Sequence, residues 1–353
     1  MEPQDSKPRI IDIALQAGVG TATVDRVLNG REGVKPKTVE KVLEAARFLA
    51  ESGGRPRVLA PRAEGLRLRA LIGGRPGFAN ELLGQALRES ARASGTPLQL
   101  EFVCRTDPAA LAARLRACRE DSIGGVIVQP VEHPFVRDAI AELIADGIQV
   151  VTVLSQMPGI DPLGHVGLDN RAAGRLAGQI LGYLCGGRGT ATIFHSNAIY
   201  RSHEEREAGL RSILREEFPQ IEIVETISTD DDPALCFRQA SDVLGRRPDL
   251  SAIVNLAAGN RGIERALLDA GRARSVQFVA FNLTPLSRNA LIERSINAVI
   301  HQDMTRIAQE AIGAICTGHQ GRPLPHVTIP CELILRENLR DISAGPRHPD
   351  ASI

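Results

Sequence analysis

From about residue 66 to residue 317, short apolar runs alternate with longer stretches of helical periodicity. That alternation restricts the fold more than any single residue does. The strand candidates are 68–72, 98–103, 125–128, 150–154, 191–195, 221–227, 252–255, 277–281 and 298–301. Between them the spacing predicts helices over 81–94, 109–119, 135–146, 171–184, 204–217, 233–246, 261–270 and 305–317. Continuous β-branched runs separated by amphipathic helices make parallel sheets covered on both faces. Four strand–helix units precede the segment PGIDPLGHVGLDN and about four follow it. This predicts two doubly wound α/β lobes joined near residues 155–168. Ligands of such sheets bind outside the carboxyl ends of the strands, so residues just after each strand line the cleft between the lobes.

A different pattern fills the first fifty residues. IIDIALQAGVGTATVDRVLN, 10–29, reads as two short helices joined by a tight turn. Ile10, Ile13 and Ala14 share one face of the first helix; Val24, Val27 and Leu28 share one face of the second. Ala14 is small where the helices cross, Gly18 can take the positive φ that ends a helix, and Val19 plugs the space between them. A third helix opens at Pro36, with Val39, Val42, Leu43, Ala46 and Leu49 at helical spacing. This is the layout of a helix-turn-helix, whose second helix enters the DNA major groove; an αα-hairpin of a larger helical domain is the alternative reading of the first two helices alone.

DIALQAGVGTATVDRVLNGREGVKPKTVEKVLEAARFL resembles the headpiece of the lactose-repressor/galactose-repressor (LacI/GalR) family of bacterial transcription regulators. The family pattern D-V-A-x-x-A-G-V-S-x-x-T-V-S-R-V-L-N, then V-S-x-x-T-R-x-K-V, is matched at Asp12, Ala14, Ala17, Gly18, Val19, Thr23, Val24, Arg26, Val27, Leu28, Asn29, Val34, Thr38, Lys41 and Val42. Gly20 and Asp25 stand where the family has serines, and a glycine cap gives up a side-chain contact to phosphate. The second half resembles the family as well: HVGLDNRAAG matches V-x-x-D-N-x-x-A-G, REAGL from Arg206 matches R-x-x-G-[FLW], and VIHQD ending at Asp303 matches T-I-x-Q-[DP]. The resemblance implies an effector domain like the type I periplasmic sugar-binding proteins, with three crossings between lobes, the other two near 283 and 320. The expected organisation is an all-α three-helix headpiece over 1–50, a Pro/Gly/Arg-rich hinge linker over 51–65, a two-lobed effector-binding and dimerisation domain over 66–340, and a C-terminal tail over 341–353.

In the recognition helix, Thr21 and Ala22 open onto base edges and Arg26 lies one turn later on the same face. An arginine there can donate two hydrogen bonds to guanine, while a hydroxyl and methyl groups suit a thymine methyl. Thr23, Asn29, Lys35, Lys37 and Thr38 are placed for phosphates. Between Arg55 and Arg69 there are five arginines against Glu64 alone, a local basic segment suited to a phosphate backbone, with Arg57 in its middle. In the family the linker holds a hinge helix that pushes a leucine into the minor groove. Here Pro56 and Pro61 flank RVLA, leaving at most one helical turn and Leu59 as the one candidate wedge.

Strand ends supply the ligand candidates: Arg75, Phe78 and Asn80, then Gln129, Ser155 and Gln156, Ser196 and Asn197, with Arg201 and Arg206 on the next segment, then Asn255, Asn260, Asn282 and Gln302. The resemblance carries most weight at Arg206 and Gln302, which match residues that hydrogen-bond sugar in relatives. Where relatives have an aspartate, this chain has Asn282. Arginines without that carboxylate allow an acidic ligand, a sugar acid or sugar phosphate, beside a sugar or polyol. Phe78 and Phe281 are the aromatic candidates for stacking.

Formal net charge is zero over 353 residues, so the chain is no polycation. Six cysteines sit mostly in apolar runs without a C-x-x-C pair and read as buried reduced thiols. The start MEPQDSKPR has no apolar signal region and no segment is long enough to span a bilayer, which predicts a cytoplasmic protein. CGGRGT lacks the lysine of a phosphate loop, HEER lacks a second zinc-spaced histidine, TDDDP reads as helix capping rather than a cation site, and no nucleophile elbow occurs. The expectation is a non-enzymatic DNA-binding regulator without cofactor or metal, a homodimer or tetramer on double-stranded operator DNA, switched by a small sugar-like ligand. The alternative is a carbohydrate sensor with weak or partner-dependent DNA binding.

Overall fold

The computed structural model describes residues 10–17, 19–29, 31, 33–51, 65–74, 79–104, 106–196, 200–319 and 322–339. The chain divides into two compact units, Met1–Arg62 and Ala63–Ile353.

The first unit holds α1 (Ile10–Ala17), α2 (Thr21–Leu28) and α3 (Pro36–Glu51). Ile13, Ala14, Val24, Val42 and Ala45 form its core, with Val19 and Val27 packed against it. The Val19 amide donates to the Ala14 carbonyl at 3.0 Å and closes the turn. The apolar faces are narrower than the sequence pattern suggested. Ile10, Leu28 and Leu43 are 41%, 44% and 47% exposed, because helices this short bury only the stripe at their crossings. Gly18 and the Leu49 side chain lie outside the described residues.

The second unit alternates strand and helix throughout. Its first half runs β1 (Leu68–Gly73), α4 (Ala79–Ser94), β2 (Leu98–Val103), α5 (Pro108–Ala117), β3 (Gly125–Val128), α6 (Pro134–Ala145), β4 (Gln149–Val153) and β5 (Gly164–Gly167). Then come α7 (Asn170–Leu184), β6 (Arg188–His195), α8 (Arg201–Glu217), β7 (Gln220–Ser228), α9 (Pro233–Arg246), β8 (Leu250–Asn255) and α10 (Asn260–Asp269). The chain continues through β9 (Gln277–Phe281), α11 (Pro285–Glu293), β10 (Ala298–His301), α12 (Met304–Gly318), β11 (His326–Thr328) and β12 (Glu332–Ile334). Two six-stranded sheets result, ordered β11-β5-β4-β3-β1-β2 and β12-β10-β9-β8-β6-β7, parallel except for β12 against β10. Each carries its own buried cluster, around Leu71, Val126 and Ile140 in one lobe and Phe194, Ile253 and Phe278 in the other.

The crossings differ from the sequence expectation. HVG of the segment read as the first connector is strand β5 of the first sheet, so the chain crosses after it, at 168–169. The four-residue strand GHVG has a glycine at each end and a histidine beside its single apolar residue, which hid it. The second crossing lies at 302–303 rather than near 283, because α12 packs on α4 and β3 to β5 of the first lobe. The third lies at 329–331, between β11 and β12, rather than near 320. Two crossings end on an aspartate cap. Asp169 accepts the Ala172 amide at 2.8 Å, and Asp303 accepts the Arg306 amide at 2.9 Å. The helix α11 was missed because Pro285 and three consecutive polar residues, Ser287 to Asn289, interrupt its apolar spacing.

Helices α7 and α8 meet along a glycine row. A Cβ at Gly174 would sit 1.9 Å from the Arg206 carbonyl oxygen, and one at Gly209 would sit 2.1 Å from that of Arg171. Neither backbone can move aside cheaply, so this approach requires glycine. We expect Gly174→Ala to cost about 3 kcal/mol or more, at the upper end for overpacking, and to read out as a lowered melting temperature.

His165 on β5 is buried, hydrogen-bonded through Nδ1 to Thr152 Oγ1 at 2.9 Å, with Nε2 buried and unmatched. Burial, and secondarily His326, push its pKa down to about 4. The unfolded chain therefore binds this proton more readily, so stability is full above the ordinary imidazole range and falls as pH drops from about 6.5 toward 4. At pH 5 the loss is about 2 kcal/mol. Urea midpoints at pH 7 and pH 5 check this, and His165→Gln is expected to flatten the difference.

Candidate functional site

A cavity of about 700 Å³ opens between the lobes of the second unit. From the first lobe Gly74, Asn80, Thr106 and Gln129 reach its wall; from the second come His203, Arg206, Asp230, Asn282 and Gln302 among others. The strand-end rule explains these positions. Gly74 follows β1, Gln129 follows β3, Asp230 follows β7, Asn282 follows β9 and Gln302 follows β10.

Arg206 is the most constrained of them. It is 3% exposed, two turns into α8. Its Nε donates to Asn170 Oδ1 at 2.8 Å and its Nη1 to the Leu256 carbonyl at 2.9 Å. The guanidinium lies 4.4 Å from the centre of the Phe281 ring. Burial pulls its pKa down to about 10, since it forms no ion pair among the described residues. Phe281 is fully buried and its face is covered by Arg206, so it is not a surface for stacking a ligand, contrary to the sequence expectation.

On the opposite wall, Gln129 Oε1 accepts from the Gly73 amide at 3.2 Å and from Asn80 Nδ2 at 3.0 Å, which fixes its orientation. Asn282 takes φ +68°, a value that asparagine tolerates better than most residues. Its Oδ1 accepts from Gln302 Nε2 at 2.7 Å. Tyr200 and Ser202 tie α8 to the first lobe: Tyr200 is buried in that lobe's core, and the Ser202 amide donates to Ser155 Oγ at 3.3 Å.

Four candidates named from the sequence stand off the cavity wall. Ser155 serves that interlobe contact. Arg201 pairs with Glu205 at 2.8 Å. Asn255 donates to Ala258 O and Asn260 Oδ1, and Asn260 donates to Phe281 O at 3.0 Å, so both brace the wall from behind. Arg75, Phe78 and Asn197 lie outside the described residues. The sequence reading missed His203, Arg238 and the Asp230–Asp232 run as wall residues. The position of TDDDP after β7 was the available signal. Cys104 is exposed on the wall, its Sγ 3.2 Å from Thr106 Oγ1, against the expectation of burial.

In the first unit, Thr21, Ala22 and Arg26 are exposed on α2, and Lys35 and Lys37 are exposed at the start of α3; Thr23 and Thr38 are half-buried. Gly20 caps α2 without a side-chain hydrogen bond. Asp25 binds Arg31 at 3.2 Å and accepts from Asn29 Nδ2 at 2.8 Å, so it leaves Arg26 outside this cluster. Arg57 and Leu59 lie outside the described residues.

Residues 9–50 match the family model for bacterial regulatory proteins of the lacI family, and 77–318 match that for the periplasmic binding protein domain. The chain belongs to the periplasmic-binding-protein domain family over most of its length and opens with a lacI-family headpiece. Among relatives of this chain, the HTH-type transcriptional regulator RegA of Clostridium saccharobutylicum is 31% identical over 164 residues, 46% of this chain and 47% of RegA. MalR of Streptomyces coelicolor is 52% identical over 58 residues, 16% of each chain. DegA of Bacillus subtilis is 22% identical over 94% of this chain and 98% of its own length. The chain thus spans about half or less of the first two. A solute binding protein from Burkholderia graminis, in complex with D-arabinose, matches with TM-score 0.73 and 20% identity, covering 78% of this chain and 97% of that one. One from Bacillus halodurans with bound myo-inositol gives 0.71 and 19%, covering 78% and 96%. These last two establish the fold of the effector region.

Arg206→Ala removes the donor that meets Asn170 and Leu256 and leaves both acceptors buried. We expect a ligand that raises the melting temperature of the wild-type chain to raise that of the variant by less than a tenth as much at the same concentration. Arg206→Lys is expected to recover little, because an ammonium cannot reproduce the planar fork.

Proposed function

We propose that this chain is a DNA-binding transcription regulator, a repressor, whose operator affinity is set by a small sugar-like molecule held between the lobes. One observation carries the reading: an exposed Thr21–Ala22–Arg26 face on a helix-turn-helix stands in the same chain as a polar interlobe cavity organised around Arg206. Relatives described as HTH-type transcriptional regulators, and a similarly folded protein complexed with D-arabinose, support it. In this reading the chain acts in the cytoplasm as a homodimer, placing two α2 helices in successive major grooves of a near-palindromic site. It performs no catalysis. Arg26 reads a base, Thr21 and Ala22 add base-edge contacts, and Thr23, Lys35, Lys37, Thr38 and Arg57 hold phosphates. Gln129, Arg206, Asn282 and Gln302 hold the ligand, and Ser155, Asn255 and Asn260 support the wall.

The switch works through differential affinity. A ligand that bridges the lobes favours the closed state only by the extra contacts it makes there. Tyr200 and Ser155, which already join the lobes, belong to the element that moves. A second reading, a sensor that needs a partner to bind DNA, is favoured by the uncapped start of α2 at Gly20 and by the prolines flanking RVLA.

Sheared genomic DNA from the host, captured by the purified chain and sequenced, tests the proposal. Sharp near-palindromic enrichment supports autonomous recognition; background alone, with and without added sugars, overturns it in favour of the sensor. Arg26→Ala is expected to lower affinity for the enriched site about tenfold to hundredfold, the discrimination of one bidentate arginine–guanine contact, while non-specific binding is retained. Competitive fluorescence anisotropy reads both quantities.

A further inference from the structure

The loop between β7 and α9, Thr229-Asp230-Asp231-Asp232-Pro233, places three carboxylates on the cavity wall. Two have structural partners. Asp232 accepts the Leu235 amide at 2.7 Å as the cap of α9, and Asp231 accepts the Ala258 amide at 2.9 Å. Asp230 differs, because its Oδ1 is buried and receives no hydrogen bond. A second unmatched acceptor stands on the same wall. Gln302 is 3% exposed and gives its Nε2 to Asn282, leaving Oε1 buried without a donor. Buried acceptors in this state are destabilising until something donates to them. Arg206 is the complement, a buried cation that forms no ion pair among the described residues.

We infer that Asp230, together with Gln302, forms the acceptor side of the ligand site, and that this arrangement selects a neutral polyhydroxylated molecule over an acidic one. The inference rests on the reading of the cavity as a ligand site. A hydroxyl group donates through its hydrogen and accepts through its oxygen, so one polyol can satisfy Asp230, Gln302 and Arg206 together. A carboxylate placed against Asp230 has nothing to donate there, and it adds a like charge to a wall where three carboxylates outnumber the two guanidinium groups, Arg206 and Arg238. The carboxylate absent at Asn282 is thus supplied from another strand end. This reverses the allowance for acidic ligands that the arginines suggested: Arg201 is paired with Glu205 and stands off the wall.

The test uses the full chain and calorimetry with D-arabinose, D-allose and myo-inositol as neutral probes, and D-gluconate and D-glucuronate as acidic ones. The wild type is expected to bind at least one neutral probe and neither acid. Asp230→Asn, a side chain that tolerates the +50° φ found here, is expected to weaken the neutral probe about tenfold to hundredfold, the loss of one hydrogen bond to a charged group. The same variant is expected to gain measurable affinity for an acidic probe, a result a misfolded variant cannot give. Acid binding by the wild type as tight as neutral binding overturns the inference, whatever the variant does. Neutral binding unchanged in Asp230→Asn removes Asp230 from the site and leaves the site itself standing. No binding of any of the five by the wild type overturns both the ligand class and the reading of the cavity.

Discussion

The cavity depends on one buried guanidinium. Arg206 sits where a cation is expensive to bury, and three elements make the burial tolerable. Asn170 at the start of α7 and the Leu256 carbonyl after β8 accept its hydrogen bonds, and the face of Phe281 at the end of β9 lies under it. None of these is a carboxylate, so the positive charge is solvated by dipoles and a ring rather than neutralised. That keeps the charge available to whatever enters the cavity. The glycine row on α7 is part of the same device: only with Gly174 against the backbone of residue 206 does α8 lie close enough for Asn170 to reach the side chain.

Much of this was legible in the sequence, for physical reasons that can be named. Buried parallel strands must be continuous apolar runs, so nine of them could be read directly, and 98–103, 125–128, 277–281 and 298–301 match the observed strands residue for residue. The short strands β5, β11 and β12 could not, because GHVG, HVT and ELI are too short to show an apolar run, and β11 and β12 form only at sheet edges. The crossings were misplaced for the same reason, since a crossing is defined by which sheet a short strand joins. Of the residues named by strand-end logic, Gln129, Asn282 and Gln302 line the cavity, and so does Arg206, which the family resemblance singled out. That logic over-counted Asn255 and Asn260, whose amides close loops behind the wall, because a turn and a ligand site favour the same residue types.

The aspartates at 230–232 show the limit of reading a motif by its commonest use. Asp before Pro at a helix start is a cap, and Asp232 is one. The cap, however, fixes the loop so that its two preceding residues take left-handed backbone conformations, at φ +50° and +57°. Two consecutive non-glycine residues in that region carry a conformational cost, and such costs persist where the surroundings over-determine them. Here the Ala258 amide holds Asp231, and Asp230 is carried onto the wall.

The positions of Asn170 and Gln302 connect the cavity to the hinge between the lobes. Each flanks a crossing whose next helix is capped by the adjacent aspartate, Asp169 or Asp303. Asn170 donates to the Leu154 carbonyl at the end of β4 in the first lobe while accepting from Arg206 in the second. Gln302 leaves β10 of the second lobe just before α12, which packs on the first. A molecule that engages Arg206, through Asn170, and Gln302 therefore acts on two of the three places where the chain changes lobes. Any change in lobe angle must alter the backbone at those crossings, so their side chains meet different geometry in each state. That is the physical requirement for a bound molecule to favour one state over the other.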